Sequence, residues 1–214
     1  MTSRIDLGPI RGDGSSPRHE RADAAANRRL ILDTAESLFA ANGVEEVTMA
    51  DIAQAAGVGK GTLYRRFANK AELCLALMDA QMASFQNNTL AVISELKAAD
   101  APNMQQLTLF LDDLVHFTDR HLPLLCEVER AGLLEPGHDR ELPHIWQHMT
   151  IKGLLNAAQQ AGELSPRIDI EYTADALIAP LRVNLFRFQR QGKGFSLERI
   201  SAGLQNIAAA LAEL

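Results

Sequence analysis

Four cations, Lys60, Arg65, Arg66 and Lys70, follow Gly57 with no acid among them. Cations crowded onto one short segment suit a polyanion. Neutralised phosphates release condensed counterions, and that release supplies much of the affinity for duplex DNA. The arginines add a second capacity, because a bidentate guanidinium matches the O6 and N7 acceptors of guanine. A charge run alone is more often a solvated face, so the neighbouring residues decide. Leu63 and Phe67 lie four apart and turn one way, leaving Thr62, Tyr64, Arg65 and Arg66 outward or along the rim. Gly57 permits a sharp turn ahead of this segment, and Gly61, lacking a side chain, lets backbone approach a duplex closely.

Other chemistry is weakly signalled. His144 and His148 are four apart and share a helix face, with His116 or Cys126 as further donors. The flanks are not H-E-x-x-H, and no Cys/His cluster has zinc-finger spacing, so neither metal nor cofactor is expected. No Ser/His/Asp arrangement and no phosphate-cradling glycine loop stand out, so catalysis is not expected. The rival readings are an enzyme using His116, His144 or His148, and a ligand-binding helical protein with a vestigial DNA motif. Cys74 and Cys126 form no CxxC pair and read as reduced thiols.

The elements that must position these residues are helical. The 214 residues are 47% hydrophobic but only 5% aromatic, which favours helices over sheet. The net charge of −6 argues against a nucleic-acid partner only on average. Residues 1–70 hold ten Lys/Arg and nine Asp/Glu, whereas residues 71–214 hold eleven and eighteen. A basic face needs only to be local. Absent a long apolar run or a signal-like N-terminus, the chain is read as cytoplasmic and not membrane-bound.

Residues 1–24 read as a disordered tail. Arg4, Arg11, Arg18 and Arg21 give it the alternative of a basic arm in the minor groove. A first helix is predicted over 25–42, with Ile31, Ala35, Leu38, Phe39 and Asn42 on one face and Gly43 as its stop. Thr48 caps a second helix with help from Asp51, and Val44, Val47, Ile52, Ala53, Ala56 and Val58 close the small core. The third helix runs from Gly59–Lys60 to Phe67. Asn69 caps a fourth over 70–98. Further helices are placed at 102–119, 122–134, 138–161, 170–191 and 196–213, for nine in all. The expected fold is all-α: a three-helix helix-turn-helix domain over 25–70, then a larger helical effector-binding and dimerisation domain over 71–214.

Thr48–Lys70, TMADIAQAAGVGKGTLYRRFANK, resembles the TetR family of one-component transcription regulators. The likeness rests on Thr48, on Ile52–Ala53–Ala56–Gly57–Val58, and on Thr62–Leu63–Tyr64–Phe67–Lys70, within residues 28–72. Arg65–Arg66 stands where the family often has an aromatic and a His. Ala68 replaces a frequent Pro or Gly, which suggests a less sharply broken turn.

The resemblance implies DNA-binding roles for Thr48, Lys60, Gly61, Thr62, Tyr64, Arg65, Arg66 and Lys70. Tyr64 would reach a phosphate, Arg65 a base edge and Arg66 the backbone, with Thr48 and Lys70 at helix starts where amides attract phosphate. It also implies a homodimer on an inverted-repeat operator, formed through residues 170–213. Ile178, Leu181, Leu185 and Phe188 make one apolar stripe there, and Leu197, Ile200, Leu204, Ile207 and Leu211 another. A small hydrophobic effector is expected among the central helices, with Phe110, Phe117, Trp146 and Met149 as first candidates. The functional expectation is a repressor that releases DNA on effector binding, with an activator as the milder alternative.

Overall fold

The computed structural model describes residues 17–134 and 143–213, and the side chains of 24–134 and 145–213. Among them every regular element is helical: α1 (Pro17–Asn42), α2 (Met49–Ala55), α3 (Lys60–Arg66), α4 (Lys70–Ala98), α5 (Asn103–Arg130), α6 (Pro143–Gln160), α7 (Ile170–Ile178), α8 (Val183–Arg187) and α9 (Leu197–Leu211). A turn of 3₁₀ helix, Ala179–Leu181, precedes α8, and a π-turn, Phe188–Gly192, follows it.

α1 begins at Pro17, earlier than the pattern suggested, because proline is well suited to a first helical turn that has no use for its missing N–H. Arg18 and Arg21 therefore lie on a helix rather than on an extended arm, while Arg4 and Arg11 fall outside the described residues. Ile31, Ala35 and Phe39 are buried as expected, and Leu32 joins them. Asn42 is exposed, its amide turned back to Leu38 O at 3.2 Å.

The expected break at His121–Pro123 does not occur, and α5 runs through it. An interior proline costs about 3 kcal/mol. Leu122, Leu124 and Val128 are buried, and each such side chain returns about 1.5–3 kcal/mol, so packing outweighs the lost hydrogen bond. Pro180 has the opposite outcome. The expected helix over 170–191 ends at Ile178, and Arg182 is extended at φ −63°, ψ 138°. The chain re-enters a helix with Val183 and Phe186 turned into the core.

Two cores result. The larger gathers Leu107, Leu111, Leu114, Ile151, Leu155, Leu177, Phe186, Ile200 and Leu204 from the helices of the body, with α5 packed chiefly against α9 and α4. The smaller joins α1–α3 to the first turns of α4, as far as Met78, so N-terminal packing continues past residue 70. Leu124 and Val128 of α5 belong to this smaller core, and Leu125 and Leu134 pack against both. Glu163 fixes the start of α5. Burial pushes its carboxyl up, but Asn103 N, Asn103 Nδ2 and Met104 N donate to it at 2.7–2.9 Å and hold it below the usual range.

Candidate nucleic-acid interface and ligand cavity

Local chemistry builds the helix-turn-helix. Thr48 and Asp51 form a reciprocal capping box: Asp51 N donates to Thr48 Oγ1 at 3.2 Å, and Thr48 N donates to Asp51 Oδ2 at 2.9 Å. The Thr48 hydroxyl also donates to Oδ2 at 2.6 Å, and these bonds hold the Asp51 carboxyl below its ordinary value. At the other end Val58 N reaches Ala53 O and Gly57 N reaches Gln54 O, a Schellman closure with Gly57 at φ +64°. α3 follows at once. Leu63 is fully buried and Phe67 nearly so, with Arg28 stacked 5.4 Å from the Phe67 ring centre. Phe67 and Asn69 are both extended, so helical geometry is interrupted between α3 and α4 with Ala68 in the link. Asn69 Oδ1 accepts from Glu72 N, and Glu72 returns a carboxylate to Ala68 N.

This anchoring leaves Lys60, Gly61, Arg65 and Arg66 exposed on one short helix, with Tyr64 50% exposed and Thr62 half-buried. Thr48 is exposed just before α2. The expected side-chain role of Lys70 requires correction. Its ammonium turns inward and donates to Val44 O at 2.8 Å, Val47 O at 3.1 Å and Glu45 O at 3.3 Å. It also lies 4.0 Å from Glu127 of α5, and both side chains are over four-fifths buried. A charge that closes a loop of carbonyls is not offered to solvent. Arg130 extends the link, reaching Glu127 at 3.0 Å and Glu45 at 3.2 Å.

The body contains a cavity of about 330 Å³, within the range of small-molecule sites. Met78 and Met82 of α4, Phe117 and Leu125 of α5, Leu134, Ile145 of α6, and Ile178, Leu181 and Val183 give it an apolar wall. Thr118, Glu129, Gln147, His148, Asp175 and Arg182 supply its polar groups. Of the four expected effector residues, Phe117 alone lines it. Phe110 and Trp146 instead pack edge-on at 5.8 Å in an aromatic cluster with Phe85, and Met149 is 56% exposed. Aromatic residue type alone could not separate a wall of the cavity from the packing around it. Met78 and Met82, four apart on α4, were the missed signal.

His148 Nε2 sits 3.2 Å from Asp175 Oδ1 and 3.7 Å from Glu171 Oε1 without a well-directed hydrogen bond. The His144 side chain lies outside the described residues. His116 is exposed, with its Nδ1 3.7 Å from Asp112 Oδ2. Cys74 and Cys126 are free, and burial pushes the Cys74 thiol up to about 12 and raises Cys126, which leaves both poor nucleophiles. No described helix is long and apolar enough to cross a membrane.

The expected dimer stripes divide. Ile178, Leu181, Ile200 and Leu204 are buried within the chain, and Leu197 and Leu211 are half-buried against the core. Leu185, Phe188 and Ile207 remain exposed.

Residues 31–77 match the family model of bacterial regulatory proteins, tetR family. An HTH-type transcriptional regulator of Staphylococcus aureus strain MRSA252 is 28% identical over 187 residues, covering 87% of this chain and 95% of that protein. Among solved structures, a putative regulator from Saccharomonospora viridis in complex with choline aligns at TM-score 0.64 and 20% identity, over 86% of this chain and 95% of that one. The Thermus thermophilus regulator FadR in complex with lauroyl-CoA aligns at 0.61 and 20%, over 85% and 92%.

Proposed function

From the premise that this chain belongs to the TetR family of bacterial transcription regulators, we propose that it is a homodimeric repressor that leaves an inverted-repeat operator when a small hydrophobic effector fills its cavity. The observation that carries this reading is the sharing of one helix end. Leu125 and Glu129 of α5 line the cavity, Leu125 also packs on the N-terminal core, and Glu127 and Arg130 bind Lys70 and Glu45 of the DNA-facing domain. A ligand that moves this turn of α5 moves the support of α2 and α3. Coupling of roughly 1–3 kcal/mol is typical of such linked sites. α4 carries Met78 and Met82 on the cavity wall and Lys70 at its start, and serves as the second lever.

On the DNA side Arg65 reads a base edge, and Tyr64, Lys60, Thr62 and Arg66 hold the backbone, with Gly61 allowing close approach. Thr48 contributes at the start of α2, and Lys70 contributes through its main-chain amide and not its ammonium. Two such short helices on a two-fold axis read two half-sites. The exposed Leu185, Phe188 and Ile207 supply the apolar face for pairing through residues 170–213. Relatives in fold that bind choline and lauroyl-CoA support a small-molecule occupant of the body.

Selection of bound sequences from random duplex DNA tests the reading. The expected outcome is an enriched inverted repeat. Arg65→Ala should relax one position, at a cost of about 1–3 kcal/mol, and Tyr64→Ala should weaken all sequences alike. A folded dimer that enriches no sequence refutes it.

A further inference from the structure

The charges around the cavity narrow the chemistry of its occupant. Resting on the reading of this cavity as the effector site, we propose that the ligand is a lipophilic cation, an amine or quaternary ammonium carrying an apolar tail. Acyl anions and CoA thioesters are the classes it disfavours.

Two carboxylates face the cavity from different helices, Glu129 of α5 and Asp175 of α7. Glu129 is half-buried, and Asn184 Nδ2 donates to its Oε1 at 2.7 Å, which fixes the carboxylate in place. Asp175 lies toward solvent beside His148. Arg182 is the one guanidinium among the described lining residues, and it belongs to an exposed residue. Lys152 is bound to Glu171 next to the site, so that pair contributes little net field. Among the described lining residues two carboxylates face one guanidinium, so acidic side chains outnumber basic ones on the wall. Burying a charge is costly unless an opposite charge receives it, so such a wall favours a cation over an anion. The apolar side agrees. The Met78 and Met82 thioethers are polarisable and adaptable, which suits an apolar tail. A CoA thioester would bring phosphates, which call for forked arginine donors, and among the described lining residues Arg182 is the one that could supply them.

The test is calorimetric titration of the full-length protein with four probes below their micellar concentrations: decyltrimethylammonium, decanol, decanoate and lauroyl-CoA. It is repeated on Glu129→Gln and Asp175→Asn, with thermal unfolding to verify that each variant is folded. Asp175 lies at the solvent side, so its variant keeps the test available if the Glu129 variant misfolds. The expected result is that the ammonium binds at least roughly tenfold more tightly than decanoate. Each substitution should weaken the ammonium roughly five- to tenfold and leave decanol unchanged. Tighter binding of decanoate or lauroyl-CoA overturns the proposed charge class and leaves the cavity as effector site standing. Ammonium affinity indifferent to both substitutions overturns it equally. Silence from all four probes, in a folded protein that still binds its selected duplex, overturns the cavity reading together with the ligand class.

Discussion

Replacing Lys70 by Met removes a charge and keeps most of the side chain's bulk. The ammonium is shared among three carbonyls of the α1–α2 connection, at 2.8, 3.1 and 3.3 Å, and lies 4.0 Å from Glu127. Hydrogen bonds from a charged donor contribute about 1.5–3 kcal/mol each, but bonds made by one ammonium are not additive. Arg130 continues to partner Glu127 at 3.0 Å, which spares the variant an isolated carboxylate. Water can reach the Glu45 end of the loop, which is exposed. The expected loss is therefore about 2–3 kcal/mol, somewhat less than the roughly 3–5 kcal/mol that breaking a fully buried pair costs. Urea unfolding of the full chain measures it as a lower midpoint at unchanged slope. The same variant, bound to its selected duplex over a range of salt, should keep the wild-type salt dependence. A side chain that touches phosphate gives the reverse pattern: stability within about 0.5 kcal/mol of wild type and a salt slope reduced by about one. That result would refute the inward role.

Three further outcomes follow from the geometry. Thr48→Ala removes half of the capping box and should cost about 1 kcal/mol of stability in the same unfolding assay. His121 is buried, and that burial lowers its pKa from the ordinary 6.5, so below 6.5 the unfolded chain binds a proton that the folded chain resists. Stability should fall as pH drops from 7 toward 5, and His121→Gln should flatten that slope; an unchanged slope would assign it to other groups. Phe188→Glu with Ile207→Glu should convert the proposed dimer to monomer in sedimentation while the helical signal persists, because both side chains are exposed on the single chain.

The sequence by itself determined the all-helical class and the DNA-facing domain, and it did so because that chemistry is local. A cap three residues from its partner, a glycine with positive φ at a Schellman turn, and Leu63 and Phe67 four apart specify their own geometry over a few residues. The exposure of Lys60, Tyr64, Arg65 and Arg66 followed from the same spacing. Tertiary structure decided what depends on distant partners. Pro123 is tolerated because Leu124 and Val128 belong to a core built mostly by residues before 79, and no local rule contains that fact. Lys70 looked like one more cation of the DNA face. Its actual partners lie 23 to 26 residues away, at Val44 and Val47, and on α5 at Glu127. The cavity was the least legible feature. Phe110, Phe117 and Trp146 are all large aromatic side chains, yet only the packing of the helices makes Phe117 a wall of the cavity and sets the other two against Phe85.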